Sequence, residues 1–204
     1  GCDTRLRAIL WHNRRGVMSI TLTPTALDGV VILSPTVRGD SRGFFYESYR
    51  KDILTKHGLH YDFVQDNHSR SSRGVLRGIH YQGAPAPQTK LVRCTLGHVL
   101  DVAVDLRMGS PTLGRWVAVE LSAENCKQLL VPAGFGHAFL TLSDVAELQY
   151  KVDDYYAPQA EGAIQWNDPD LAIDWGTSTQ PLVSARDAQA STFASYLKRP
   201  VFHI

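Results

Sequence analysis

The sequence has little of what would assign it to a class at once. It has three cysteines, Cys2, Cys94 and Cys126, in 204 residues. An odd, scattered set makes no disulfide framework, and there is no C-x-x-C pair to hold a metal. Such usage fits a reducing, cytoplasmic setting. No apolar run approaches the roughly 20 residues a membrane helix needs. The opening residues are too polar and too interrupted by arginine for a signal peptide. A dominant charge is missing too. The formal net charge is +1, so no global field points to nucleic acid or a membrane surface. Any basic site must be local.

What remains is ordinary for a soluble domain, with 44% hydrophobic and 20% charged residues. The length suits one domain with a substantial core. Residues 1–17 read as a tail ahead of a natural start at Met18, and residues 18–204 as a single domain. Within it the pattern is β. In 98-HVLDVAVDL-106, Leu100, Val102, Val104 and Leu106 alternate with Asp101, Ala103 and Asp105, which predicts a strand with one buried face. Similar runs occupy 29–34, 43–49, 62–69, 75–82, 90–96, 115–121, 128–132, 137–142 and 146–152, with Gly, Pro, Asn or Ser-Pro between them. Helix is scarce: one is expected over 49–57 and another over about 187–198. Many short strands at near-regular spacing predict an all-β sandwich, jelly roll or barrel with a few short helices, mainly C-terminal.

The chemistry gathers in 74-GVLRGIHYQGAPAPQTK-90. Arg77, His80 and Lys90 stand close together, and no Asp or Glu occurs from Gly83 to Leu100. A lone strand histidine is ordinarily just a satisfied polar residue. A second, His137, follows a Pro-x-Gly turn in 131-VPAGFGHAF-139, and this segment looks like the second metal-binding motif of cupins. The first motif is not there. Its place reads His80-Tyr81-Gln82, and Lys90 would repel a divalent cation, so two histidines alone make a poor metal site. No metal and no cofactor are expected. A base, a fixed cation, an arginine and a second histidine suit proton abstraction beside a ketone, with lysine where the enolate oxygen develops. Tyr150 is a candidate acid for the opposite face, although a strand tyrosine is more often part of a core. The aspartate that would orient His80 is not settled by local sequence, which leaves Asp101, Asp105, Asp168 and Asp187. The adjacent tyrosines in 153-DDYYAPQAEG-162 could stack a nucleobase or brace a loop.

Taken together, these segments resemble the dTDP-4-dehydrorhamnose 3,5-epimerase family, which has a cupin-type fold. The resemblance runs from about Val30 to Asp187 through 39-GDSRGFFYESY-49, 63-FVQDNHSRS-71, 75-VLRGIHYQ-82, 129-LLVPAGFGHAFLTLS-143, 155-YYAP-158 and 166-WNDP-169. It implies His80 as base, Asp187 as its partner, Lys90 as the enolate-stabilising cation and Tyr150 as proton donor. It also implies sugar-nucleotide contacts at Arg42, Glu47, Gln65, Asp66, Asn67, Arg77, His137 and Glu161, with Tyr156 stacked on thymine. Arg186 stands where the family often has lysine, and 134-GFGHA-138 replaces the commoner Gly-Phe-Ala-His-Gly. The implied reaction inverts C3 and C5 of a dTDP-4-keto-6-deoxy sugar, in a homodimer whose partner chain completes the nucleotide pocket. The alternatives are a single-carbon epimerase or keto-isomerase on the same nucleotide sugar, and a non-catalytic cupin that binds it. A metal-dependent cupin dioxygenase fits the residues least.

Overall fold

The computed structural model describes residues 20–204; the expected tail, residues 1–17, lies outside them. Two antiparallel sheets form the body. One has six strands in the order β1 (Ile20–Pro24), β2 (Val31–Pro35), β11 (Gln128–Val131), β7 (Lys90–Leu96), β13 (Val145–Val152) and β5 (Gln65–Ser72). The other has five, in the order β10 (Trp116–Ser122), β8 (His98–Asp105), β12 (Phe135–Thr141), β6 (Leu76–Gln82) and β14 (Glu161–Ala163). Neighbours in each order are mostly distant in sequence, as in a jelly roll. Two small pairs complete the β-structure. A hairpin joins β3 (Arg38–Asp40) to β4 (Gly43–Phe45), and β9 (Arg107–Met108) runs parallel to β15 (Phe202–His203).

Three apolar layers follow from strand alternation. Val92, Cys94, Leu129, Leu148, Val99, Ala103, Leu121 and Phe139 come from both sheets and fill the space between them. The outer face of the five-stranded sheet, with Val102, Val104, Leu106 and Leu140, is covered by the C-terminal segment through Ile164, Leu171, Trp175, Phe193 and Tyr196. The outer face of the six-stranded sheet, with Leu33, Leu91 and Leu130, is covered by Leu54 of helix α1 (Lys51–Lys56). Each such fully buried aliphatic side chain contributes about 1.5–3 kcal/mol of transfer free energy.

This layering corrects one expectation. Strand β8 has no wet face: Val99, Asp101, Val102, Ala103, Val104 and Asp105 are all buried. A strand in the middle of a covered sheet buries both sides. Its aspartates survive there because each has partners. Asp105 receives hydrogen bonds from Arg107, Ser110 and Thr112, and these outweigh burial to hold its carboxyl down at about 2. The expected strand over 43–49 ends at Phe45. The expected C-terminal helix is two short ones, α2 (Ala185–Ala188) and α3 (Phe193–Lys198), each capped by its own hydroxyl residue, Ser184 and Thr192. Among the described residues, no helix is long and apolar enough to cross a membrane.

Candidate active site

His80 lies near the end of β6, in the five-stranded sheet. The Ser184 hydroxyl caps α2 by accepting from the Asp187 N–H at 3.0 Å, which places the Asp187 carboxyl against β6. There Oδ1 lies 2.6 Å from His80 Nε2, and Oδ2 accepts from the Gly78 N–H at 3.2 Å. For β6 to lie this close to β12, a bare backbone is needed at Gly78. Its φ is +130°, and a Cβ there would lie 2.3 Å from the Ala138 Cβ. Burial pushes the Asp187 carboxyl up, but the His80 and Gly78 hydrogen bonds outweigh it and hold the group below the usual carboxylate range. An acceptor-only carboxylate makes His80 Nε2 the donor, so the other ring nitrogen is free to take a proton. Asp187 is buried, while the His80 side chain is 31% exposed.

A cavity of about 220 Å³ opens beside His80. It is also lined by Gln65, Asn67, Lys90, Tyr150, Tyr156 and Glu161, and by Tyr81, Gln82 and Gln88. Lys90 on β7 and Tyr150 on β13 belong to the six-stranded sheet, so they occupy the wall facing His80. The Lys90 ammonium lies 5.9 Å from the centre of the Tyr150 ring. Among the described residues no carboxylate pairs with it directly. Burial lowers its pKa to about 8, against the opposing pull of Asp101 and Glu161. Burial also raises the Tyr150 phenol, with Glu161 adding to the effect, so the hydroxyl stays protonated at neutral pH.

A second cluster shapes the rim. Glu161 Oε2 accepts from the Tyr156 hydroxyl at 2.8 Å and pairs with Arg186 at 3.0 Å. These bonds outweigh burial and keep the Glu161 carboxyl below its ordinary value. Gln65 accepts from the Tyr156 N–H at 3.1 Å. Gln82 is buried; it donates to the carbonyls of Ala86 and Tyr155 and accepts from the Ala157 N–H. The loop that carries Tyr156 is therefore held from three sides.

Other expected residues stand elsewhere. Arg42 is 88% exposed on the β3–β4 hairpin and pairs with Asp40 at 2.6 Å; Glu47 pairs with Arg50 at 3.3 Å. Neither lines the cavity of this chain. Asp66 does not line it either. It alternates with Gln65 and Asn67 along β5 and so points to the outer face, where it binds Lys151 at 2.9 Å. Arg77 is exposed beside Tyr150 and donates to the Ser71 hydroxyl at 3.1 Å. His137 is buried behind the cavity, with Nε2 2.9–3.0 Å from the two Asp101 oxygens. Sequence reasoning did not assign Gln82 or the Asp101–His137 pair to the site. The signals for the latter were the Pro-x-Gly turn before His137 and an aspartate amid the apolar run of β8. Among the described residues no three His, Cys, Asp or Glu side chains cluster as a metal site would require.

A jelly roll with a histidine–aspartate pair facing lysine and tyrosine across a polar cavity defines the class as a cupin with an acid–base site. The model of the dTDP-4-dehydrorhamnose 3,5-epimerase family matches residues 24–195. The chain is 55% identical over 173 residues to the enzyme of that name from Pseudomonas aeruginosa, covering 84% of this chain and 95% of the relative. It is 53% identical over 167 residues to that of Salmonella typhimurium, covering 81% and 91%. The crystal structure of the dTDP-6-deoxy-D-glucose-3,5-epimerase of Legionella pneumophila in complex with dTDP-4-keto-L-rhamnose matches with a TM-score of 0.86 at 45% identity, covering 92% of this chain and 99% of that one. A 3′-monoepimerase from Streptomyces bikiniensis in complex with dTDP-quinovose matches with a TM-score of 0.83 at 38% identity, covering 88% and 91%. The chain belongs to the dTDP-4-dehydrorhamnose 3,5-epimerase family.

Proposed function

We propose that this protein inverts C3 and C5 of dTDP-4-dehydro-6-deoxy-D-glucose to give dTDP-4-dehydro-L-rhamnose, in dTDP-L-rhamnose or related deoxysugar biosynthesis in the cytoplasm. The observation that carries this is the 2.6 Å His80–Asp187 contact at the edge of a cavity whose facing wall holds Lys90 and Tyr150. The C4 ketone acidifies the protons at C3 and C5. His80 takes one of them, and Asp187 orients the ring and stabilises the imidazolium that forms. The electron pair moves onto the C4 oxygen, where the Lys90 ammonium stabilises the enolate. Tyr150, on the opposite sheet, returns a proton from the other face, and that inverts the carbon. The same groups serve the second carbon in turn.

Gln65, Asn67, Glu161 and Arg186 hold the sugar nucleotide at the rim, Arg77 takes phosphate and His137 lies behind the sugar. Tyr156 stacks on the thymine. Arg42, Glu47 and Asp66 find no place in the cavity of this chain. Arg42 and Glu47, with the exposed Phe44 and Phe45 beside them, are suited instead to reach the pocket of a partner subunit, so the working unit is a homodimer. A single-carbon reading is favoured by the likeness to a 3′-monoepimerase. The test is to incubate the protein with dTDP-4-keto-6-deoxyglucose in deuterium oxide and follow the sugar ring by NMR. Deuterium at both C3 and C5 is expected. Deuterium at one carbon selects the single-site enzyme, and none, with dTDP still bound, leaves only a binding protein.

A further inference from the structure

Asp101 is fully buried in the middle of β8. Among the described residues its carboxylate has one hydrogen-bond donor, the Nε2–H of His137, which both oxygens share at 2.9–3.0 Å. One N–H does not satisfy a buried carboxylate, which needs an opposite charge nearby. The groups facing it are few. His137 comes from β12 and is buried with it. Cys94 and Lys90 come from β7. Burial first, with Asp101 contributing, pushes the Cys94 thiol up to about 11, so it stays neutral. That leaves Lys90 as the cation. Asp101 alternates in phase with Val99 and Ala103 on β8, and Lys90 with Val92 and Cys94 on β7, so both point into the layer between the sheets. Glu161 from β14 and Tyr150 from β13 also face Lys90, and of the two carboxylates Asp101 acts on it more strongly. His137 is also the cross-strand neighbour of His80. Asp101 is thus bonded to a neighbour of His80 and lies near Lys90 of the facing wall, while it does not itself line the cavity.

We propose that Asp101 is a positioning residue for the reaction: it is the buried counter-charge that keeps Lys90 cationic, and its bond to His137 fixes that ring beside His80. The proposal rests on the epimerase reading, which gives Lys90 its task. Lys90 sits in an environment that favours the neutral amine, and a neutral amine cannot stabilise an enolate. The second carboxylate, Glu161, is already bonded by Arg186 and Tyr156, which leaves Asp101 as the dedicated partner.

The test is an NMR titration of protein carrying isotopically labelled lysine, with the Lys90 signal assigned by its loss in Lys90→Arg. Wild-type Lys90 is expected to titrate near about 8. Asp101→Asn is expected to lower that midpoint by about one unit or more. His137→Gln, whose amide N–H still reaches the carboxylate, should leave it near the wild-type value. A merely structural Asp101 would lower thermal stability without moving the midpoint, and an unmoved midpoint in folded Asp101→Asn overturns the proposal. Should that variant not fold, Asp101→Glu displaces the charge instead. The Lys90 midpoint must then differ from wild type, and identity with wild type overturns the proposal equally. The readout needs no turnover. A wild-type protein that exchanges deuterium while the midpoint is unmoved removes the role of Asp101 alone. A wild-type protein that exchanges none removes the reaction, and with it any catalytic sense for Asp101.

Discussion

His80 and His137 are opposite one another on adjacent strands, and each is bonded through Nε2 to a buried aspartate. The pairs differ in where the second ring nitrogen can reach. The His80 side chain is 31% exposed beside the cavity, whereas that of His137 is 8% exposed. Their carboxylates also differ. Among the described residues, Asp187 has a backbone N–H from Gly78 as well as its histidine, while Asp101 has its histidine as its one donor. On the proposed reading, one kind of hydrogen bond serves two purposes. Where solvent and substrate can enter, it orients a base. Where they cannot, it anchors a buried charge. Residue type and pairing alone do not separate the proposed base from its proposed support; exposure does.

The largest effect expected along this line is on turnover. Asp187→Asn leaves His80 in place but removes the charge that orients it, so kcat should fall by about 10²–10⁴-fold with dTDP affinity unchanged. Steady-state kinetics beside calorimetric titration with dTDP checks this, and a parallel loss of binding would count against it. Stability should show the reverse ranking. His137→Ala leaves Asp101 buried without its donor and is expected to cost about 1–3 kcal/mol in denaturant unfolding. His80→Ala leaves Asp187 its Gly78 N–H and opens it to water from the cavity, so it should cost less than His137→Ala. Equal costs would erase the distinction between the two pairs.

The comparison also explains how much could be read beforehand. The jelly roll was legible because alternation and turn residues are local signals. The burial of both faces of β8 was not legible because its second face is covered by the facing six-stranded sheet, including Leu129 of β11 and Leu148 of β13, far along the chain. Asp187 could be named only by resemblance. Nothing near it in the chain marks it off from Asp101, Asp105 or Asp168, and its contact with His80 spans 107 positions. Arg42 and Glu47 were expected as ligand contacts, and neither lines the cavity of this chain; the proposed homodimer would offer them a partner's pocket. The short helix α1 came close to expectation, Lys51–Lys56 within 49–57, because the stop at Gly58 is again a local signal.

Smaller effects follow from Lys90 and Arg186. Below about 8 Lys90 is cationic, so kcat/KM should decline as pH rises through about 8. Stability should move the other way. The folded pKa is depressed, so from about 8 toward the ordinary lysine value of about 10.4 the unfolded chain holds a proton the folded one has released; this contribution makes folding more favourable as pH rises. Lys90→Met should be inactive, and it should also be less stable, because the buried Asp101 carboxylate then lacks its counter-charge. The smallest change is Arg186→Lys. It keeps a charge beside Glu161 but loses the planar head, and should raise KM a few-fold at constant kcat. A change in which carbon is exchanged would instead make Arg186 a determinant of regiochemistry.

The most direct measurement of the central claim is deuterium incorporation by His80→Ala, set beside the wild type and accompanied by a dTDP binding isotherm. The account predicts that the variant binds dTDP as the wild type does and places no deuterium at C3 or C5. Incorporation at the wild-type rate would contradict it, since the proton would then be taken by a group other than His80.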